Sequence, residues 1–296
     1  MKNSISFPRL GINLEISPVA FHIGSKEIYW YALIILTGFI AGLLLASSTA
    51  PKRGVKKDTV WDIALIGIIA GIVCARIYYV IFAFDEFKDD LLGIFRIWEG
   101  GLAIYGGIIG AVISTAIYCR VKKLNLFNVL DVCCPGLLLG QAIGRWGNFI
   151  NCEVYGLPTD SLFGMQINGA AAVHPLFLYE SVWNLLGVIL ILLLRDKKKK
   201  NGQVFLAYIF WYSCGRLVLE GMRNTSYILY LVSNVIGISQ FVAALLIVLS
   251  AAGFIYISFS KKKCFIPVPP IIDEPEHEAV VTEESHDSES TNDTEK

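Results

Sequence analysis

The chain has 296 residues, of which 55% are hydrophobic and only 17% are charged, and its mean hydropathy is +0.58. Its 25 bases balance its 25 acids, but ten of the acids lie in residues 273–296, so residues 1–272 hold 24 bases against 15 acids, a net charge of +9. This composition excludes an ordinary cytosolic enzyme, a disulfide-stapled secreted module and a nucleic-acid-binding protein recognised by overall charge. A polytopic membrane protein remains.

Seven apolar runs are close to 20 residues long, the length that crosses a hydrocarbon core about 30 Å thick. They cover residues 28–50, 59–84, 101–119, 129–147, 175–194, 203–219 and 235–259. The fourth is the weakest, because Asp131 and Pro135–Gly136 interrupt it. The predicted fold is therefore all-α, a polytopic bundle of about seven transmembrane helices.

Lysine and arginine in the short loops predict the orientation, because basic loops stay in the cytoplasm. The four basic loops are 51–58, 120–123, 195–200 and 261–263, with 15 bases together, and they alternate with loops that are poor in bases. The N-terminus is then outside and the C-terminus inside. Three regions follow: an extracytoplasmic segment (1–27) without a recognisable signal peptide, the membrane domain (28–260), and a basic stop with a disordered acidic cytoplasmic tail (261–296).

Ionisable side chains inside apolar spans are costly, about 2.5–3.5 kcal/mol for an arginine at the helix centre, so each one needs a reason. In this topology most of them lie near the outer ends of spans, which points to a site at that depth. They are Arg76, Arg96, Glu99, Arg145, Glu153, His174, Glu180, Arg216, Glu220 and Arg223. With four histidines and no H-E-x-x-H or G-x-S-x-G motif, no metal or other cofactor is expected.

Two segments combine glycines with polar groups. Residues 95–110 (FRIWEGGLAIYGGIIG) contain Tyr105 and paired glycines, which suit either tight helix packing or close approach to a ligand. Residues 140–156 (GQAIGRWGNFINCEVYG) combine a possible glycine packing face with Arg145, Asn148 and Glu153. Their donors suit a phosphate, and the alternative is a structural Arg–Glu pair.

Two further segments belong to the fifth and sixth spans. His174 in HPLFLYES (174–181) either caps the fifth helix or takes a direct part in the site. Tyr212, Arg216, Glu220 and Arg223 follow one another at spacings of four, four and three residues, which is one stripe of a helix. Pairing within the helix could satisfy this stripe, but two arginines with one acid leave a positive excess, which favours an anion site.

Together these segments resemble the prolipoprotein diacylglyceryl transferase family of bacteria. The resemblance extends over roughly residues 28–259 and rests on Trp30–Tyr31, R-x-W-E-G-G-L-A-x-Y-G-G, G-R-W-G-N-F-I-N-C-E-x-x-G, His174–Pro175 through Tyr179–Glu180, and the Tyr212–Arg223 stripe, in the family's order. It implies a multi-pass protein of the bacterial cytoplasmic membrane with its active site toward the outer leaflet.

The resemblance also implies a reaction. The diacylglyceryl group of phosphatidylglycerol moves to the lipobox cysteine thiol of a preprolipoprotein, and glycerol 1-phosphate leaves. The implied partners are phosphatidylglycerol, lipobox-containing preprolipoproteins and the lipid bilayer, with no nucleic acid. Arg145 and Arg216 take the places of the family's essential arginines and, with Tyr105, are the expected catalytic residues. The expected substrate-binding residues are Tyr31, Arg145, Asn148, Glu153, Gly156, His174, Tyr212, Glu220 and Arg223.

Many members of the family have histidine, regarded as the base, where this chain has Tyr105. A neutral phenol with a pKa of about 10 is a poor base at pH 7, whereas a thiol with a pKa of about 8.5 ionises there for only about 2 kcal/mol. Expelling a phosphate monoester from an unactivated carbon is the harder step, and losing one donor to the departing oxygens typically costs about a hundred- to a thousandfold in rate. We therefore expect the arginines to carry catalysis and Tyr105 mainly to orient substrate, with His174 as the fallback base.

Two other interpretations use the same charges. A transporter or channel for an anionic solute or lipid would line a path with them, but the polar groups lie near one face of the membrane, and no inverted repeat of broken helices is evident. A non-catalytic lipid-binding scaffold would need the arginines without the remaining motifs. The transferase is the favoured interpretation.

Overall fold

The structure, a computed structural model, describes residues 2–88, 90–195, 200–227, 230–232 and 236–260. The helices of this part are α1 (Trp30–Thr49), α2 (Lys57–Phe82), α3 (Ile104–Val121), α4 (Leu126–Ile150), α5 (Leu176–Arg195), α6 (Gln203–Gly221) and α7 (Ile238–Phe259). Six of these seven are long and apolar enough to cross a membrane, and α6, which carries Arg216 and Glu220, is the exception. The prediction of a mostly helical polytopic membrane protein is confirmed. The predicted acidic tail lies outside the described residues.

Neighbouring helices run antiparallel, so the polar segments meet at one end of the bundle. We call it the site end: α1, α3, α5 and α7 begin there, and α2, α4 and α6 end there. At the opposite end a buried apolar cluster joins the first four helices, with Ala46 from α1, Val60 from α2, Cys119 from α3 and Val129 from α4. The first four helices are therefore fastened together away from the site end.

Short strands lie at the site end. The sequence predicts none of them and assigns residues 1–27 only to an extracytoplasmic segment. They are β1 (Asn3–Phe7), β2 (Ile12–Ile16), β3 (Val19–Ile23), β4 (Lys26–Tyr29), β5 (Gln166–Ile167), β6 (Tyr230–Val232) and β7 (Ile236–Gly237). β1 pairs antiparallel with both β2 and β5, and β3 forms a hairpin with β4. Ile5 of β1 is fully buried in a cluster that contains Phe149 of α4 and Phe177 of α5. The N-terminal sheet thus packs on the ends of two helices that carry the polar segments.

Glycines bring α1 and α4 into backbone contact. A Cβ on Gly136 would lie 2.2 Å from the carbonyl oxygen of Gly42, and one on Gly42 would lie 2.4 Å from that of Gly136. Near the site end, a Cβ on Gly147 would lie 2.8 Å from the Tyr31 ring. The predicted glycine face of α4 is therefore a packing face, and it places Tyr31 beside the last turn of α4. A similar approach joins α3 to α2, where a Cβ on Gly106 would lie 2.4 Å from the Cys74 carbonyl oxygen.

Asp131 does not interrupt α4, which is a continuous helix of 25 residues. Its carboxylate accepts hydrogen bonds from the backbone N–H groups of Gly202 (2.8 Å) and Phe205 (2.7 Å), at the first turn of α6. These N–H groups have no partner within their own helix, and the helix dipole also favours a carboxylate there. The buried acid therefore ties α4 to the start of α6.

A pair of tryptophans fixes α5 against α6. The Trp183 and Trp211 rings stack with centroids 4.3 Å apart, and each indole N–H donates to the other residue's backbone carbonyl, at 3.1 and 3.0 Å. Gly187 and Gly215 make room for the rings, because a Cβ on either would lie within 2.5 Å of an indole nitrogen. This contact sets the register of the two helices close to the charged residues of the site end.

Candidate active site

Three arginines and two buried glutamates meet at the site end, and we call these five residues the arginine cluster. Arg145 Nη2 of α4 lies 2.7 Å from Glu180 Oε2 of α5. On α6, Arg216 Nη2 lies 3.0 Å from Glu220 Oε2, and Arg223 Nη1, just beyond the helix, lies 3.3 Å from the same oxygen. The Glu180 and Glu220 side chains are only 9% and 2% exposed. The cluster therefore combines charges from three helices in a place that is nearly closed to solvent.

The pKa of Arg223 is affected by the charges of the other four residues of the cluster. Burial lowers the pKa of this guanidinium, and so do the positive charges of Arg216 and Arg145, while Glu220 and Glu180 act in the opposite direction. Three positive charges stand against two negative ones, which leaves one net positive charge within the cluster. A buried positive excess of this kind favours an anion.

Arg216 and Arg223 both pair with Glu220. Two guanidinium nitrogens lie within 3.3 Å of Glu220 Oε2, yet this oxygen has no hydrogen-bonding partner among the described residues. The pairing with this oxygen is therefore electrostatic and not hydrogen-bonded. A guanidinium fork matches the oxygens of a phosphate group.

A second polar group extends the cluster along α4. Arg145 Nη1 donates to Asn148 Oδ1 at 3.4 Å, and Asn148 Nδ2 donates to Glu153 Oε1 at 2.9 Å. Tyr31 packs on Gly147, next to Asn148. The structure thus brings together four of the residues that the sequence predicts: Tyr31, Arg145, Asn148 and Glu153.

Gly156 lies where three chain segments meet. Its backbone N–H donates to the His174 carbonyl at 2.9 Å, and the next N–H, of Leu157, donates to the Met222 carbonyl at 2.8 Å. A Cβ at position 156 would lie 2.6 Å from His174 Cβ and 2.8 Å from the Met222 oxygen. Because Arg223 is the β-bridge partner of Gly156, the glycine holds the backbone of this arginine against the connection between α4 and α5.

His174 precedes α5, which begins at Leu176 rather than Pro175 as the predicted span does. The ring Nδ1 lies 3.4 Å from Tyr179 Oη, and the His174 backbone binds Gly156 and Leu157. These contacts favour the structural role that the sequence left open for this histidine. Tyr212 lies one turn before Arg216, and its ring stacks with that of Tyr208 at 6.2 Å.

No hydrogen bond or ion pair joins the Tyr105 side chain to the arginine cluster. It lies in the first turn of α3 with 52% of its surface exposed, and its side chain makes no hydrogen bond to another described residue. Glu180, in contrast, pairs directly with Arg145; the sequence placed it among the ionisable residues near the site but gave it no catalytic or binding role. The available signal was an acid inside an apolar span, but the sequence does not reveal which base it would meet.

An apolar groove of about 610 Å³ lies between α5 and α6. Leu178, Val182, Trp183, Leu186 and Val218 contribute to its walls, and Tyr179, the partner of His174, lines it as well. The site end therefore places an apolar groove near a buried positive cluster, a combination that suits an amphiphile with an anionic head.

Comparisons with known proteins show the family of this chain. The family model described as prolipoprotein diacylglyceryl transferase matches residues 18–256. A Listeria innocua protein named phosphatidylglycerol–prolipoprotein diacylglyceryl transferase is 44% identical over 253 residues, covering 81% of this chain and 90% of the relative. Proteins of the same name from Lysinibacillus sphaericus and Streptococcus pyogenes are 41% and 45% identical, covering 82% of this chain and 93% and 94% of their own lengths. This chain therefore belongs to the prolipoprotein diacylglyceryl transferase family.

Proposed function

We propose that this protein transfers the diacylglyceryl group of phosphatidylglycerol to the lipobox cysteine thiol of a preprolipoprotein, and that the arginine cluster is the site of the transfer. The cysteine sulfur forms a bond to the terminal glycerol carbon of the diacylglyceryl group. The bond from that carbon to the phosphate oxygen breaks, and its electron pair leaves with glycerol 1-phosphate. The thiol proton passes to solvent or to the phosphate product.

One observation carries this proposal: arginines from two helices, Arg145 and Arg216, lie within 3.0 Å of buried carboxylates at the same end of the bundle. Charge builds up on the phosphate oxygens as the carbon–oxygen bond breaks. Donors already fixed in a water-poor site stabilise that charge without reorganisation. Arg145 and Arg216 act in this way in our proposal, while Glu180 and Glu220 hold their guanidinium groups in place.

The remaining predicted residues bind and orient the substrates. Asn148 and Glu153 extend the polar surface next to Arg145, and Gly156 keeps Arg223 close to the site. We assign Tyr31, Tyr212 and His174 to substrate binding on the family resemblance; the His174 backbone also holds Gly156 and Leu157 in place. Because the thiol ionises near neutral pH for only about 2 kcal/mol, the transfer does not depend on a strong protein base.

The protein is a multi-pass membrane protein of a bacterial family. We further propose that its site end faces the outer leaflet, with the N-terminus outside. The support is the distribution of bases, since the basic loops 51–58 and 120–123 lie at the end of the bundle opposite the site. This orientation puts the cluster at the depth where a phospholipid presents its headgroup.

The test is a purified full-length enzyme in detergent with glycerol-labelled phosphatidylglycerol and a lipobox peptide. We expect release of labelled glycerol phosphate that requires the peptide's cysteine. Arg216→Gln should lower that release about a hundredfold or more, because it removes a donor to the leaving phosphate. Arg120→Gln is the matched control, since Arg120 is exposed at the opposite end of α3, and it should keep the wild-type rate.

Two results would contradict the proposal. If the folded wild-type protein releases no glycerol phosphate with both substrates present, the proposed transferase activity is wrong. Wild-type rates in Arg216→Gln would leave the activity standing but move the site away from the arginine cluster. The thermal unfolding midpoint of each variant shows whether a loss of activity comes from the site or from unfolding of the protein.

A further inference from the structure

Arg76 of α2 is a buried arginine that the transfer reaction does not use directly. Its surface is 7% exposed, and its guanidinium donates four hydrogen bonds to backbone carbonyls. Nε binds Ile94 at 2.8 Å and Nη2 binds Gly93 at 2.7 Å, while Nη1 binds both Gly100 (2.7 Å) and Gly101 (2.9 Å). No carboxylate pairs with it among the described residues. Carbonyl dipoles therefore stabilise this charge, together with the Phe87 ring, whose centroid lies 5.1 Å from Arg76 Cζ, and a buried charge without such partners would be costly.

These carbonyls belong to two separate parts of the connection between α2 and α3. Gly93 and Ile94 lie in a short 3-10 turn (Leu91–Phe95), whereas Gly100 and Gly101 come just before α3. The planar guanidinium fork binds both parts at once and so fixes their separation. Lysine could not do this, because its three donors radiate from one atom.

Two glycines of the connection, Gly100 and Gly101, have backbone conformations that allow them to receive Arg76. Their φ angles are +96° at Gly100 and +73° at Gly101, which side chains of L residues rarely adopt. A Cβ on Gly101 would lie 2.4 Å from Arg76 Nη1. In the W-E-G-G motif, the positive φ explains Gly100, and the closeness of Arg76 together with the positive φ explains Gly101.

The start of α3 follows directly from this arrangement. The Ala103 N–H donates to the Ala75 carbonyl at 3.1 Å, next to Arg76 on α2, and α3 begins at Ile104. Tyr105 therefore follows, two residues on, a backbone that is bound to α2 beside Arg76. The close contact of Gly106 with Cys74 holds the first turn of α3 on α2, and the Arg76 hydrogen bonds fix the chain that leads into this turn.

We propose that Arg76 is a positioning residue of the transferase: it holds residues 93–101 in the conformation that sets Tyr105 and the start of α3 at the site end. It acts through the connection and does not touch the substrate. The inference rests on the proposed function, since it concerns the placement of Tyr105, which we expect to orient the substrate of that reaction.

The experiment measures activity and local protection in the same full-length protein. Arg76→Gln and Arg76→Lys are compared with Lys88→Gln, an exposed lysine of the same connection that pairs with Asp85. We expect kcat/KM to fall about tenfold or more in both Arg76 variants, because small displacements of substrate-orienting groups have large effects on rate. Amide hydrogen exchange should accelerate about tenfold in residues 91–105 but stay unchanged in 140–150 and 206–220. Lys88→Gln should leave both quantities at wild-type values.

The outcomes separate this inference from its alternatives. Wild-type kcat/KM in Arg76→Gln with fast exchange in 91–105 would mean that the reaction does not use this connection. Faster exchange in all helices would assign Arg76 a general role in the fold, and wild-type activity in Arg76→Lys would show that the fork is unnecessary. Each of these results overturns the proposal. Absence of transfer by the wild-type enzyme would instead overturn the proposed function. The two failures can be told apart, because the exchange experiment still reports whether Arg76 holds the connection.

Discussion

Arg145 and Tyr105 lie at the same end of the bundle in opposite environments. Arg145 is held by Glu180 and Asn148 in a largely buried cluster, whereas Tyr105 is half exposed and its side chain makes no hydrogen bond to a described residue. A fixed, desolvated donor stabilises a transition-state charge far better than an exposed hydroxyl. We therefore expect the arginines to have the larger catalytic effect.

Arg145→Gln should therefore lower kcat by about a hundredfold or more, because it removes a preorganised donor. Tyr105→Phe should have a smaller effect, since the phenol only orients substrate. The measurement is the rate of glycerol phosphate release by each variant under saturating lipid. A loss in Tyr105→Phe that equals or exceeds the loss in Arg145→Gln would reverse this ranking and make Tyr105 the principal catalytic group.

The sequence predicted many of the residues at the site, because each of them is polar in an apolar context and belongs to a family motif. It did not predict how they pair. Arg216 and Glu220 are four residues apart, and their contact follows from helix geometry alone. Arg145 and Glu180 come from different helices, so only the packing of α4 on α5 reveals that pair.

At the level of elements, the glycines of α1 and α4 set how closely the two helices approach. Gly42 and Gly136 face each other without room for a methyl group, whereas Gly67 of α2 has no atom within 4 Å of the place of a Cβ. Replacing glycine by alanine should therefore lower the stability of the protein at Gly136 but not at Gly67.

Gly136→Ala should lower the stability of the protein by about 1–3 kcal/mol, the usual cost of overpacking a tight contact. Gly67→Ala is the matched control and should be neutral or stabilising by up to about 1 kcal/mol, because alanine is the better helix former. Thermal unfolding in one detergent compares both variants with wild type. An unfolding midpoint of Gly136→Ala at or above that of Gly67→Ala would contradict this interpretation of the helix contact.

The helices were predictable and the strands were not. The predicted and observed ends of α5 and α6 agree within about two residues, because the thickness of the membrane dictates the length of an apolar run. β1 pairs with β5 across about 160 residues, and β5 is only two residues long. Local patterns of alternating residues are too short there to predict a sheet.

At the level of the whole molecule, the proposed orientation puts the basic loops in the cytoplasm and the arginine cluster near the outer leaflet. Asp160 is exposed between α4 and α5 at the site end, and Lys122 is exposed just beyond α3 at the opposite end. These two residues report on the two sides of the membrane.

Asp160→Cys should react with a membrane-impermeant maleimide in intact cells, and Lys122→Cys should react only after the cells are permeabilised. The unaltered chain measures the background from the native cysteines, and activity confirms that each variant is folded. Labelling of Lys122→Cys, but not of Asp160→Cys, in intact cells would show that the protein is inserted the other way.

The sequence by itself determined the membrane class, the helices and the family, because each depends on local properties: apolar length, loop charge and motif order. Tertiary structure decided which charges meet, that Asp131 caps α6, and that Arg76 binds the α2–α3 connection. These contacts join residues that are far apart in the chain. Whether a buried charge is tolerated depends on the partner it finds, and the helix packing alone supplies that partner.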